Sequence, residues 1–219
     1  MSAFESLPPH GPNGSIEVIA GPMFSGKTEE LLRRVRRAVL AKQAVQIFKP
    51  ERDDRYARLE VVSHDDTRMQ ARPVLDSSAL EAAVSHEDVI GVDEVQFFDD
   101  GIIDVCNRLA DRGIRVVVAG LDLDYRGCPF GPMPLLMAHA EYVTKLHAVC
   151  CETGGRAHFS FRMSDGDGVV QLGGTAEYKA LCRAVYNKVY VRDHVQVANT
   201  GEKAGEETGK AAGENARSK

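Results

Sequence analysis

No apolar run in the 219 residues approaches the ~20 needed to cross a bilayer, so no membrane span is expected. The first residues, MSAFESLPPHGPNG, show no basic stretch followed by an apolar one, and no secretory signal is expected. A surplus of positive charge is also missing. The formal net charge is −5, which argues against a protein that coats nucleic acid, because phosphate backbones demand clustered Lys and Arg. The five cysteines are odd in number and scattered, which fits reduced thiols in a cytoplasm. Residues 198–219 carry no apolar side chain larger than Ala. Such a segment cannot offset its ordering entropy by burial, so a disordered tail is expected over 193–219.

What is present suffices for a core. Hydrophobic residues make up 43% of the chain, enough for one core plus a small appendage without a disulfide or metal staple. After a loose arm at 1–13, short apolar runs alternate with amphipathic stretches. Strands are expected at Ser15–Ala20, Ala44–Phe48, Val89–Val92, Val116–Ala119 and Tyr142–Leu146. Helices are expected at Lys27–Ala41, Ser78–Ser85 and Ile102–Arg112, the last closed by Gly113. In the first helix Leu31, Leu32, Val35 and Val39 form the apolar stripe, with Arg33, Arg34, Arg36 and Arg37 outside it. Apolar strands between helices imply an α/β parallel sheet covered on both faces over residues 14–148. A glycine-rich β-ribbon lobe is expected over 149–192.

Gly21-Pro22-Met23-Phe24-Ser25-Gly26-Lys27-Thr28 matches G-x-x-x-x-G-K-[ST] at every fixed position, between an expected strand and an expected helix. The glycines let the chain wrap an anion, and successive N–H groups face its phosphates. Lys27 is placed to reach the β- and γ-phosphates of ATP, and the Thr28 hydroxyl to ligate Mg²⁺. This gives the fold class as P-loop NTPase-like. The companion signal is Val89–Val92 running into Asp93-Glu94, an apolar strand that delivers acids beside the loop. Asp93 would serve Mg²⁺; Glu94, pointing elsewhere, would take a proton from an attacking hydroxyl.

At DEVQFF (Asp93–Phe98) the chain resembles the thymidine kinases of the cytosolic, homotetrameric, zinc-lobed type. The resemblance runs from about Ser15 to Lys188. It is carried by GPMFSGKT, by Lys49-Pro50 with Asp53 and Arg55-Tyr56, by DEVQFF, by Leu121-Asp122 with Tyr125 and Pro129-Phe130-Gly131, and by Gly173-Gly174 with Tyr178. The family implies transfer of the γ-phosphoryl of ATP to the 5′-hydroxyl of thymidine, and feedback by the end-product triphosphate. By resemblance, Glu94 is the base, with Lys27 and Arg162 near the transferred group. Asp53, Arg55 and Gln96 join the phosphate loop and Asp93 around ATP. Met23, Leu121, Tyr125, Phe130 and Tyr178 enclose the thymine, whose edge meets the loop Val169, Val170, Gln171, Leu172 and Gly173.

At the cysteines the chain departs from the family. Cys150 and Cys182 remain, but Thr153 and Val185 stand where the other two zinc ligands would be, so no zinc is expected. Cys106 and Cys128 are read as bystanders, and His64 and His158 as lone histidines. Other readings stay open: a P-loop ATPase acting on a macromolecule, a silent nucleotide-binding regulator, or a kinase for another nucleoside such as deoxyuridine. A GTP switch is disfavoured, since Asn187-Lys188 continues into Val-Tyr rather than N-K-x-D.

Overall fold

The computed structural model of the chain describes residues 14–51, 60–62, 68–163 and 177–189. Its centre is a seven-stranded sheet of β1 (Ser15–Ala20), β2 (Val45–Pro50), β3 (Glu60–Val62), β4 (Arg68–Val74), β5 (Val89–Val92), β6 (Arg115–Gly120) and β7 (Tyr142–Lys145). The order is β3-β4-β2-β5-β6-β1-β7. Neighbours run parallel except β3, which lies antiparallel to β4 at one edge.

Strands β5 and β6 are buried along their whole length because helices cover both faces. Side chains alternate accordingly. Ile19, Val117 and Ala119 pack with α1 (Lys27–Leu40) on one face. Val18, Val116 and Val118 pack on the other with α2 (Ser77–Ala83), α3 (Gly101–Asp111) and α4 (Met133–His139). Leu31, Leu32 and Val35 of α1 are fully buried, each contributing about 2 kcal/mol of transfer free energy. Helix α1 lies so close to β5 that a Cβ on Gly91 would meet Val35 at 3.2 Å and Leu31 at 3.3 Å.

The expected stripe of α1 needs correction at two positions. Arg34 is buried, not solvent-facing, and Val39 is half exposed. The cause is Glu17, buried on β1. It accepts from Arg34 Nη1 at 2.7 Å and from Nε of Arg115 on β6. Arg34 also donates to Glu30 and to Thr144 of β7. A buried charge needs such partners, and here they tie α1 to three strands.

Beyond β7 the chain forms two ribbons, β8 (Ala148–Val149) with β9 (Arg156–Ala157), and β10 (Phe159–Arg162) with β11 (Tyr178–Leu181). Their core is a separate cluster of Ala148, Cys150, Ala157, Phe159, Ala180, Leu181 and Tyr186, with Phe24 of the phosphate loop packed against it. Residues 178–181 are a strand, and helix resumes only at 183–189. Pairing with β10 outweighs the local preference of a four-residue run. Three further elements, β3, β4 and α4, had no sequence expectation.

Candidate active site

The site lies beyond the carboxyl ends of β1, β5 and β6, where a parallel sheet presents its loops to ligands. The phosphate loop leaves β1 and turns into α1 through two left-handed residues, Phe24 (φ 62°) and Gly26 (φ 80°). Glycine is required at 21 for space, since a Cβ there would meet the Leu146 carbonyl oxygen at 2.6 Å. Within the loop, Ser25 Oγ and Lys27 Nζ each donate to the Pro22 carbonyl at 2.8 Å. Burial holds the Lys27 ammonium below its ordinary pKa, while Glu94, Asp93 and Asp122 oppose that shift by favouring its charge.

Asp93, at the end of β5, is buried and accepts from Thr28 Oγ1 at 3.1 Å. Burial, followed by the neighbouring Glu94 charge, pushes its carboxyl up to about 7. A hydroxyl facing a buried carboxylate that lacks enough countercharge is a donor set suited to a divalent cation with oxygen ligands.

Glu94 is exposed while Asp93 is buried, so the two acids diverge. The divergence comes from the backbone, because Glu94 sits in the left-handed region at φ 54°, ψ 38°. A non-glycine residue there is strained, a feature that collects at functional sites. A single 3-10 turn, Val95–Phe97, follows and buries Gln96. Its amide is used at both ends. The Leu121 N–H donates to Gln96 Oε1 at 3.0 Å, which leaves Nε2 to donate to Glu94 Oε2 at 2.6 Å. Gln96, expected among the ATP contacts, thus orients the Glu94 carboxylate.

Tyr125 and Phe130 lie on the hairpin at 121–130, closed by a bridge between Leu123 and Pro129. The Arg162 guanidinium carbon lies 4.0 Å from the Tyr125 ring centroid, and Arg126 Nε donates to the Tyr125 hydroxyl at 2.8 Å. Tyr178 faces Arg162 across the β10–β11 pair. Phe130 meets Phe97 edge-on at 5.5 Å. Asp53, Arg55 and the segment Val169–Gly173 lie outside the described residues.

Three contacts had no sequence expectation. Ser160 Oγ accepts from Met23 N at 2.9 Å and joins the small lobe to the phosphate loop. Lys145 Nζ lies 2.7 Å from Oδ2 of buried Asp122. His158 is not alone, for its ring stands 4.5 Å from that of His147. None of these partners lies near the other in sequence, so no local pattern announces them.

At the cysteines the four positions still converge. Val185 and Cys182 pack against the cluster that contains Cys150, and Thr153 Oγ1 is 3.8 Å from Cys182 Sγ. Only two of the four offer sulfur. Threonine and valine do not complete a tetrahedral structural zinc site, so this donor set does not fit zinc.

A phosphate loop set against a strand-end acid, with a second acid turned outward beside it, defines a P-loop nucleotide-dependent phosphotransferase. The thymidine kinase family model matches residues 14–186. Thymidine kinase of Porphyromonas gingivalis is 57% identical over 175 residues, covering 80% of this chain and 86% of that protein. That of Bacteroides fragilis is 52% identical over 180 residues, 82% of this chain and 90% of its own. That of Rhodothermus sp. is 51% identical over 176 residues, 80% and 83%. The chain belongs to the thymidine kinase family.

Proposed function

We propose that this chain is a thymidine kinase in which Glu94 is the general base. ATP and thymidine are the substrates, and the γ-phosphoryl passes to the thymidine 5′-hydroxyl, giving dTMP and ADP. The O5′–P bond forms as the bond from the γ-phosphorus to the bridging oxygen breaks, and the hydroxyl proton goes to Glu94. The observation that carries this reading is the hydrogen-bond chain Leu121 N–Gln96–Glu94, which aims an exposed carboxylate from beside the phosphate loop.

The reaction needs positioning and charge neutralisation more than covalent chemistry. Backbone N–H groups from Phe24 to Thr28 hold the phosphates, and Lys27 moves from the Pro22 carbonyl onto them. Arg162 adds a second cation. Thr28 and Asp93 would hold Mg²⁺, which when bound offsets negative charge on the phosphate oxygens. Tyr125, Phe130 and Tyr178 enclose the base, with Met23 and Leu121 beside them. Asp53 and Arg55 near the phosphates, and Val169, Val170, Gln171, Leu172 and Gly173 at the base edge, rest on the family resemblance. So do the homotetramer and the cytoplasmic setting. We read the small lobe as zinc-free, since Thr153 and Val185 supply no ligand.

The test is a nucleoside panel with purified protein, ATP and Mg²⁺. Thymidine is expected to be phosphorylated, with deoxyuridine also accepted. ATP hydrolysis that is independent of nucleoside and yields no phosphorylated nucleoside would instead indicate an ATPase.

A further inference from the structure

We propose that Cys150 and Cys182 form a reversible dithiol–disulfide pair that ties the turn after β8 to the end of β11. The two chain segments are already adjacent. Cys151 N donates to Ala180 O at 3.1 Å, and His158 N donates to Leu181 O at 3.0 Å. Cys182 packs against the buried cluster that contains Cys150, and the Thr153 hydroxyl donates to Cys182 Sγ at 3.8 Å. The two cysteines therefore stand on adjoining segments of one small core, with Thr153 of the turn after Cys150 reaching Cys182.

The pair has the asymmetry a two-step exchange requires. Cys182 is half buried and open to a reagent, whereas Cys150 is 1% exposed. The oxidant is a small-molecule disulfide, RSSR. The Cys182 thiolate attacks one of its sulfurs, forming a mixed disulfide and releasing RS⁻. The Cys150 thiolate then attacks the Cys182 sulfur, closing the internal bond and releasing the second RS⁻. Two protein thiols are oxidised, one RSSR is reduced to two RSH, and the two thiol protons end on those products. The bond would staple the ribbons that carry Arg162 and Tyr178.

Full-length protein equilibrated in buffers of oxidised and reduced glutathione, then alkylated and digested with trypsin, tests this. A cross-link between the peptides Leu146–Arg156 and Ala180–Arg183 is expected in the wild type and in Cys151→Ser. In Cys150→Ser it is expected to be absent, with Cys182 left as a glutathione adduct. Oxidation should raise the thermal midpoint of the wild type and of Cys151→Ser by about 5–10 °C, and leave Cys182→Ser unmoved. A wild type that holds glutathione on Cys182 with Cys150 alkylated would overturn the proposal. So would a link through Cys151, an unchanged midpoint in the cross-linked protein, or stoichiometric zinc protecting both thiols.

Discussion

The sheet lobe and the ribbon lobe solve the same task, fixing side chains around one reaction, by different means. In the sheet lobe Lys27, Asp93 and the Gln96–Glu94 pair are set at or just beyond the ends of parallel strands buried on both faces. In the ribbon lobe Arg162 and Tyr178 stand on a four-residue pair of strands, over one small cluster. Ring contacts supplement that pair: Phe159 stacks on Tyr186 at 4.3 Å, and the Tyr186 hydroxyl donates to Tyr125 O at 2.9 Å. On the proposed assignment, phosphate chemistry rests on strand ends buried on both faces, while the residues proposed around the base rest on short strands over the smallest of the three core clusters among the described residues. That is the part suited to closing over a substrate.

The largest effect is expected where the sheet lobe meets charge. Lys27→Ala should lower kcat/KM on the order of 10³ and weaken ATP binding, measured by steady-state kinetics and calorimetry. Intact values for both would break the assignment of that lobe to phosphate chemistry. Gly120→Ala comes next. A Cβ there would sit 2.6 Å from Gln96 Oε1 and 2.9 Å from both Met133 Sδ and Val95 Cγ1. The Gln96 amide would shift off Glu94, with kcat falling about tenfold and a stability cost of about 1–3 kcal/mol. A stability loss with kcat unchanged would show that Gln96 does not position the base.

Ser160→Ala sharpens the comparison at the seam between lobes. Losing the bond to Met23 N should cost about 1 kcal/mol, read as a drop of about 2–4 °C in the thermal midpoint. The smallest effect is a pH dependence in the ribbon lobe. Burial, then the charges of His147, Lys145 and Arg183, hold His158 below its ordinary pKa, with Asp122 opposing. Below about pH 6.5 the unfolded chain therefore binds a proton that the native state refuses, and stability falls as pH falls. His158→Asn should flatten that acid limb in thermal melts from pH 5 to 8. An unchanged slope would place its origin elsewhere.

The same contrast governs what could be read from residues. The loop Gly21–Thr28 and the run into Asp93-Glu94 are local patterns, and the structure forms strand, loop and helix where they lie. Strand β4 is hidden because Gln70 and Arg72 alternate with Met69 and Ala71 and Pro73 interrupts the run, a half-buried pattern weak in apolar content. Helix α4 is hidden because Pro132 and Pro134 flank its first residue and it has only seven residues. Arg34 reads as solvent-facing because its partner Glu17 lies on another element. The Gln96 bridge needs Leu121, 25 residues away. Tertiary partners of this kind carry no signal in a local window.

The most direct test of the account is the single-turnover rate of phosphoryl transfer in Glu94→Gln, with the Kd for ATP and for thymidine measured alongside. The substitution keeps the shape and removes the base. The account predicts a chemical step slower by about 10²–10⁴ with both affinities retained. A chemical step at the wild-type rate would contradict it.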